Sequence, residues 1–174
     1  EALADDIFKS LGHLTGDIGI AHTRYKTHGG GGIDNAQPFY DAFTAMAIAH
    51  NGHITNVHQV DAELTARGQA LASSCDADAL LRVMCLWVEH FRRRDPSSDE
   101  REHVFQAIAE VQQRVTGAYS TVLATPAGLY AFRDPHGFRP MVLGRRSRKG
   151  REGIMIASET LALEQNGFAV EEHV

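Results

Sequence analysis

The chain has 174 residues, enough for one domain whose core needs no disulfide or metal staple. Hydrophobic residues make up 43% and charged residues 22%, ordinary globular values that set disorder aside. A formal charge of −5 argues against a dedicated nucleic-acid binder, and no apolar run approaches the ~20 residues of a membrane span.

In chain order, Leu3, Ile7, Phe8 and Leu11 predict a helix over residues 1–11, ended by Gly12 and Thr15-Gly16. Asp17 to Tyr25 predicts a short strand whose glycine and alanine allow close backbone approach. Gly29 to Gly32 predicts a mobile loop, and Asn35 to Phe39 leaves it in extended form because the residue before Pro38 avoids the helical region. Ala45 to His50 predicts a buried strand, with Asn51-Gly52 as a tight turn of positive φ at its end.

A helix is expected from about Asn56 to Arg67, with Val57, Val60 and Leu64 on its apolar face. Ser73-Ser74-Cys75-Asp76 is an N-cap cluster for a helix from Ala77 to about Arg93. Leu80, Leu81, Met84, Trp87, Val88 and Phe91 form that helix's apolar stripe, and Cys85 falls within it as a small core residue. After the break at Asp95-Pro96-Ser97-Ser98, a third helix runs from about Asp99 to Val115.

From Thr116 the hydrophobic period changes. Gly117 to Ala124 and Gly128 to Arg133 predict strands joined by a short turn, and Asp134-Pro135-His136-Gly137 fits a type I turn. Met141 to Gly144 and Gly153 to Ala157 predict short strands separated by a basic loop. Ser158-Glu159-Thr160 caps a short helix to about Asn166, Gly167 stops it, and Val170 to Val174 begins one more strand. Strands at both ends with helices grouped between them predict antiparallel sheet with packed helices, not alternating βαβ units.

Ten histidines invite a metal site, yet none stands at i, i+4 beside a carboxylate and no Cys-x-x-Cys accompanies them. His50 and His53 flank the turn and are expected to diverge, so no metal is expected. The basic loop from Arg145 to Arg151 lacks aromatic residues to stack a base and reads as a solvated hairpin tip. Arg92-Arg93-Arg94 has a structural reason at a helix C-terminus, where cations oppose the helix dipole. Cys75 and Cys85 form no disulfide framework, and free thiols with no basic-then-apolar leader predict a reducing, cytoplasmic setting.

Three features together could recognise one small molecule. A guanidinium at Arg24, beside a Gly-rich loop, can hold a carboxylate in bidentate fashion. Asp76, at a helix N-terminus, can accept bonds from an ammonium group. Asn51 and Gly52 offer two donors to a carbonyl oxygen, which is what an oxyanion hole needs. Each also has a plain structural reading: a surface ion pair, an N-cap and a chain reversal.

One set of segments runs through the chain: Ile20 to Thr27, Asn35-Ala36-Gln37-Pro38-Phe39, Ala49-His50-Asn51-Gly52, Asp76 before its Leu-rich helix, and Gly117-Ala118-Tyr119-Ser120. Arg133-Asp134-Pro135-His136-Gly137-Phe138-Arg139-Pro140 and Ala157-Ser158-Glu159 complete it. In order and spacing, over almost the whole chain, these segments resemble the class II, N-terminal-nucleophile glutamine amidotransferase domain. Gln37-Pro38-Phe39 and the series ending at Gly144 most resemble the amidophosphoribosyltransferase branch; Ala21 to Arg24 and Thr27-His28-Gly29 are more similar to the glucosamine-6-phosphate synthase branch.

The resemblance implies an α+β fold, an αββα sandwich of two antiparallel sheets between helix layers, and hydrolysis of glutamine to glutamate and ammonia. It implies that Arg24 holds the glutamine α-carboxylate and Asp76 the α-amino group. Asn51 and the Gly52 N–H would form the oxyanion hole, while Tyr25, Thr27 and His28 line the pocket. It also implies an N-terminal cysteine nucleophile whose own α-amine is the base. Glu1 matches a point inside that domain, so residues 1–174 are expected to be a partial domain. The first strands, the nucleophile and a downstream phosphoribosyltransferase domain would lie outside it.

On that expectation the chain alone hydrolyses no glutamine, and Cys75, which has no α-amine, is no substitute. No cofactor is expected in this domain; magnesium and phosphoribosyl pyrophosphate belong to the phosphoribosyltransferase domain, and the full-length enzyme is expected to be a homo-oligomer. The longer C-terminal series decides for the amidophosphoribosyltransferase branch; Lys26, His28, His53 and Asp78 depart from the family pattern, and the first two, in the pocket wall, leave the exact branch open. The alternatives are the glucosamine-6-phosphate synthase branch and a non-catalytic amino-acid-binding module.

Overall fold

The alternation from Met46 to Ile54 sets Met46, Ile48, His50 and Ile54 on one face of a strand and Ala47, Ala49, Asn51 and His53 on the other. In the computed structural model, which describes residues 15–23 and 35–174, this strand is β2 (Met46–Ile54). With β1 (Phe39–Asp41), β3 (Gly117–Thr125) and β4 (Gly128–Arg133) it forms an antiparallel sheet of order β1-β2-β3-β4. A second antiparallel sheet, of order β6-β5-β7, is built from β5 (Val142–Arg148), β6 (Arg151–Ala157) and β7 (Ala169–His173).

Three helices lie between β2 and β3 in sequence: α1 (Val57–Ala66), α2 (Asp76–Arg94) and α3 (Glu100–Arg114). Helix α2 packs on β1 and β2 and α3 on β4, while a short helix, α4 (Thr160–Gln165), packs on the second sheet. The result is the αββα arrangement of an α+β fold. Ile48, Ile54, Tyr119, Leu123 and Phe132 of the first sheet meet Leu64, Leu80, Met84, Val88, Val104 and Val111 of the helices in one buried cluster. Burying a side chain such as Leu80 stabilises the fold by roughly 1.5–3 kcal/mol relative to leaving it in water. Trp87 of α2 lies under the guanidinium groups of Arg67 and Arg114, at 5.9 and 4.5 Å, and so ties the ends of α1 and α3 together.

The helix boundaries agree with the sequence expectation to within a residue or so. Asp99 caps α3 by accepting the Arg101 N–H at 2.9 Å, and Arg92, Arg93 and Arg94 fill the last turn of α2.

Three expectations are corrected. First, Asn51-Gly52 is no turn: both residues lie inside β2, opposite Ser120 and Tyr119 of β3, and the chain reverses at Thr55-Asn56 instead. Pairing along the whole of β3 overrides the local preference of the dipeptide. Second, residues 17–23 carry no strand. Third, the basic loop is mostly strand. β5 and β6 run through it and meet at Lys149-Gly150, whose φ values of 52° and 74° suit a two-residue hairpin connection. The helix expected over 1–11 and the glycine loop at 29–32 lie outside the described residues.

An ionic chain anchors the start of α2. Asp78, 1% exposed, accepts the N–H groups of Ala72 and Ser73 at 2.6 and 2.8 Å and so folds the approach to Cys75 and Asp76. Its other oxygen lies 3.4 Å from Arg82 Nε, and Arg82 NH1 donates to Asp41 of β1 at 2.8 Å. Asp78→Ala would leave two amides and a guanidinium short of acceptors, and is expected to destabilise the protein by about 3 kcal/mol. A urea titration checks this; a loss below ~1 kcal/mol would mean that the loop is held by other contacts.

Candidate active site

Three backbone N–H groups of β2 line one edge of the strand, at His50, Gly52 and Ile54, because residues two apart direct their N–H groups the same way. The His50 N–H donates to Gln37 Oε1 at 2.7 Å, and Gln37 Nε2 donates back to the His50 carbonyl at 3.2 Å. That side-chain amide takes the place of a paired strand before β1 begins. The Ile54 N–H donates to Asp76 Oδ2 at 3.1 Å.

Gly52 sits between these two positions, opposite Tyr119. Tyr119 turns both of its backbone groups toward Asp134: its N–H donates to Oδ2 at 3.1 Å and its carbonyl accepts the Asp134 N–H at 2.9 Å. The Gly52 N–H therefore points away from β3, to the same edge as its neighbours, between the Gln37 and Asp76 side chains. The four N–H groups that Asp134 draws from Tyr119, His136, Phe138 and Arg139 outweigh the effect of burial and hold its carboxyl below the ordinary range.

Gly52 has φ +156°, and a methyl group built on it would lie 2.0 Å from the Ala118 carbonyl oxygen. Only glycine permits this approach. The Asn51 side chain leaves on the opposite face of the sheet from the core. There its Nδ2 donates to Ser158 Oγ at 3.1 Å, across to the residue that follows β6.

Asp76 is the first residue of α2 and draws together the residues around Asn51-Gly52. Its Oδ2 lies 3.5 Å from His50 Nε2 and 3.9 Å from His53 Nδ1. Burial works to raise the Asp76 carboxyl, but His50, the Ile54 N–H and His53 together hold it below its ordinary value. His50 and His53, expected to diverge, thus converge on one carboxylate. The regular strand puts His50 on the core face, where it is 3% exposed and tilted against Tyr119 with ring centroids 6.2 Å apart. Among the described residues no group of three or more His, Cys, Asp or Glu could hold a metal ion, and no helix is long and apolar enough to cross a membrane.

The two thiols differ. Cys85 is buried in the core beside Thr44 Oγ1, at 3.3 Å, and burial pushes its thiol up to about 11. Cys75 is half-buried at the N-cap of α2, with its sulfur 3.8 Å from Asp76 Oδ1 and 4.0 Å from Gln37 Nε2. Of the residues expected at a site, Asn51, Gly52 and Asp76 are brought together; Arg24, Tyr25, Thr27 and His28 lie outside the described residues.

Residues 22–165 match the family described as a glutamine amidotransferase domain. The chain belongs to that family. The domain is 36% identical over 172 residues to the amidophosphoribosyltransferase of Escherichia coli, covering 95% of this chain and 34% of that protein. It is 35% identical over 173 residues to the same-named enzyme of Pasteurella multocida, covering 95% and 33%. Among solved structures, it superposes on glutamine phosphoribosylpyrophosphate (PRPP) amidotransferase from B. subtilis, complexed with ADP and GMP, with a TM-score of 0.65 and 26% identity. That match covers 88% of this chain and 30% of the other. A second structure, of the allosteric regulatory enzyme of purine biosynthesis, gives a TM-score of 0.66 at 27% identity over 88% of this chain and 30% of the other. The chain thus spans about a third of the length of these relatives.

The sequence did not reveal what Gln37, His50 and Ser158 do. Each falls inside a segment that resembles the family, yet its contact partner is 13, 26 or 107 residues away. Nothing local marks such a pair.

Proposed function

We propose that this domain is the glutaminase part of an amidophosphoribosyltransferase, releasing ammonia from glutamine for transfer to PRPP and formation of 5-phosphoribosylamine in purine synthesis. The observation that carries the reading is the edge of β2: the Gly52 N–H faces outward beside the Asn51 carboxamide, flanked by the Asp76 carboxylate. Two donors next to one ionised acid suit a substrate whose reacting carbonyl must gain negative charge while its ammonium group is held. In this reading Asn51 Nδ2 and the Gly52 N–H receive the oxyanion, Asp76 holds the α-ammonium and Arg24 the α-carboxylate. Tyr25, Thr27 and His28 line the pocket.

The nucleophile is an N-terminal cysteine of the full-length protein, whose α-amine takes the thiol proton as sulfur attacks the amide carbon. The cysteine's α-ammonium returns that proton to the amide nitrogen as the oxyanion collapses, so that ammonia leaves; water then cleaves the thioester to glutamate and the thiol is regenerated. Cys85 is unsuited to this step because its thiol stays protonated at neutral pH. The glutaminase domain needs no cofactor; magnesium accompanies PRPP at the transferase domain. A cytoplasmic location fits two cysteines that form no disulfide. The names of the relatives favour PRPP over a sugar phosphate as the acceptor.

The full-length protein, given glutamine and PRPP, is expected to release glutamate and pyrophosphate in equal amounts; glutamate without pyrophosphate would overturn the choice of acceptor, and no glutamate at all would overturn the glutaminase. Asp76→Asn is expected to raise KM for glutamine by roughly 10–100-fold with little change in kcat, the loss of one charge-assisted contact. Because the folded-state carboxyl is held below its ordinary value, Asp76 is ionised throughout the neutral range. Its grip on the ammonium group therefore stays constant there and fades only as pH falls through that lowered value, so KM is expected to be flat until the acid region.

A further inference from the structure

The Asn51 carboxamide carries two N–H bonds, and one of them is already engaged. Nδ2 donates at 3.1 Å to the hydroxyl of Ser158, a residue 107 positions away that directly follows β6 of the other sheet. Ser158 is itself well placed to hold still. It follows Ala157, which is paired with Val142 at the end of β6, and precedes Glu159, the N-cap of α4. Both side chains are half-buried, so the bond is only partly exchanged for water.

We propose that Ser158 is a positioning residue for glutamine hydrolysis: its hydroxyl anchors the Asn51 carboxamide across the two sheets, so that the remaining N–H is set in place before the oxyanion forms. This inference rests on the reading of Asn51 as an oxyanion donor. The physical reason is that a donor accelerates a reaction when it needs no reorganisation as charge develops. An asparagine side chain free to rotate about its terminal torsion, which is broad, must be ordered during the step. A hydroxyl fixed by the second sheet does that ordering in advance. Ser158 makes no contact with substrate in this account and acts only through Asn51.

The test uses the full-length protein and steady-state release of glutamate. Ser158→Ala is expected to lower kcat about 10-fold, less than loss of the donor itself, with KM for glutamine changed by no more than ~2-fold. Ser158→Thr keeps the hydroxyl and is expected to restore kcat to within about 3-fold of the parent. In the Asn51→Ala background, Ser158→Ala is expected to cost nothing further, because the two residues then act as one unit.

A parent-like or raised kcat in Ser158→Ala would overturn the proposal, the rise meaning that the hydroxyl occupies the oxyanion position and must be displaced. Additive losses in the double variant would also overturn it. So would a fall in kcat that Ser158→Thr does not reverse. If Ser158→Ala fails to fold, the Thr variant and the Asn51→Ala/Ser158→Thr pair carry the test, a kcat loss in Thr that persists without Asn51 counting against it. An unchanged kcat in Asn51→Ala would instead remove the oxyanion reading on which the inference stands. A loss there with none in Ser158→Ala would remove the role of Ser158 alone.

Discussion

Gly52→Ala is expected to destabilise the protein by about 3 kcal/mol or more, and to leave little folded material at physiological temperature. The new methyl group would lie 2.0 Å from the Ala118 carbonyl oxygen and 2.7 Å from Tyr119 Cα. All of these contacts are backbone atoms of β3, so no side-chain rotation can relieve them. β2 and β3 would have to part at the centre of the four-stranded sheet, where the core cluster also rests. Gly128→Ala is the control. That residue has φ +143° but nothing within 4 Å of the added carbon, so only the dihedral cost of about 1–2 kcal/mol should appear. Thermal or urea unfolding of the two variants separates the effects. Equal losses would show that close approach of β3 contributes nothing at position 52.

Asn51→Ala is expected to reduce kcat for glutamine hydrolysis in the full-length protein by about 10²–10³-fold, with KM within a few-fold of the parent. The carboxamide N–H strengthens its bond as negative charge grows on oxygen, so its loss raises the barrier more than it weakens substrate binding. Asn51 lies on the face of β2 away from the core, and its removal leaves the buried cluster intact. Asn51→Asp is the sharper variant. It nearly preserves shape and can still accept from the Ser158 hydroxyl, yet it offers no donor and places a charge beside a developing anion. It should therefore be at least as impaired as the alanine variant. Activity near the parent's in Asn51→Asp would exclude an oxyanion role.

The helices were legible because each carries a local signal repeated many times. Leu80, Leu81, Met84 and Val88 recur at helical spacing, Asp99 begins α3 as a cap, and Asp95-Pro96 ends α2, so their limits follow within a residue or so. The Asp134 turn was legible for the same reason: Asp, Pro and Gly each stand where a type I turn needs them, and the Gly137 N–H bonds the Asp134 carbonyl at 2.9 Å. The helical phase of Cys85 is enough to mark it as a core residue, and it is buried.

The dipeptide Asn51-Gly52 does not disclose its local structure, although it does disclose its two donors. The dipeptide has a strong turn preference, but β3 supplies a partner on both sides of it, and sheet pairing decides the conformation. Glycine is required there for a different reason, the passage of the Ala118 carbonyl. In the basic segment the expected hairpin tip is present, at Lys149-Gly150, but the strands extend further toward it than the arginines suggest. Arg145 reaches across to Glu171 of β7 at 2.6 Å, and the Arg146 guanidinium lies 4.4 Å over the ring of Phe168, just before β7.

What the sequence determined by itself was the order of the helices from α1 to α4, most of the strands around them, the α+β class and the residue types able to hold an amino acid. These depend on periodicity, caps and side-chain chemistry, which are properties of neighbours in the chain. Only the tertiary structure decided that Asn51 and Gly52 stand in a continuous strand, that Asp76 joins them through Ile54, and that Ser158 reaches Asn51 from the second sheet. Those relations depend on strand register and on contacts up to 107 residues apart, and such contacts leave no local trace in the chain.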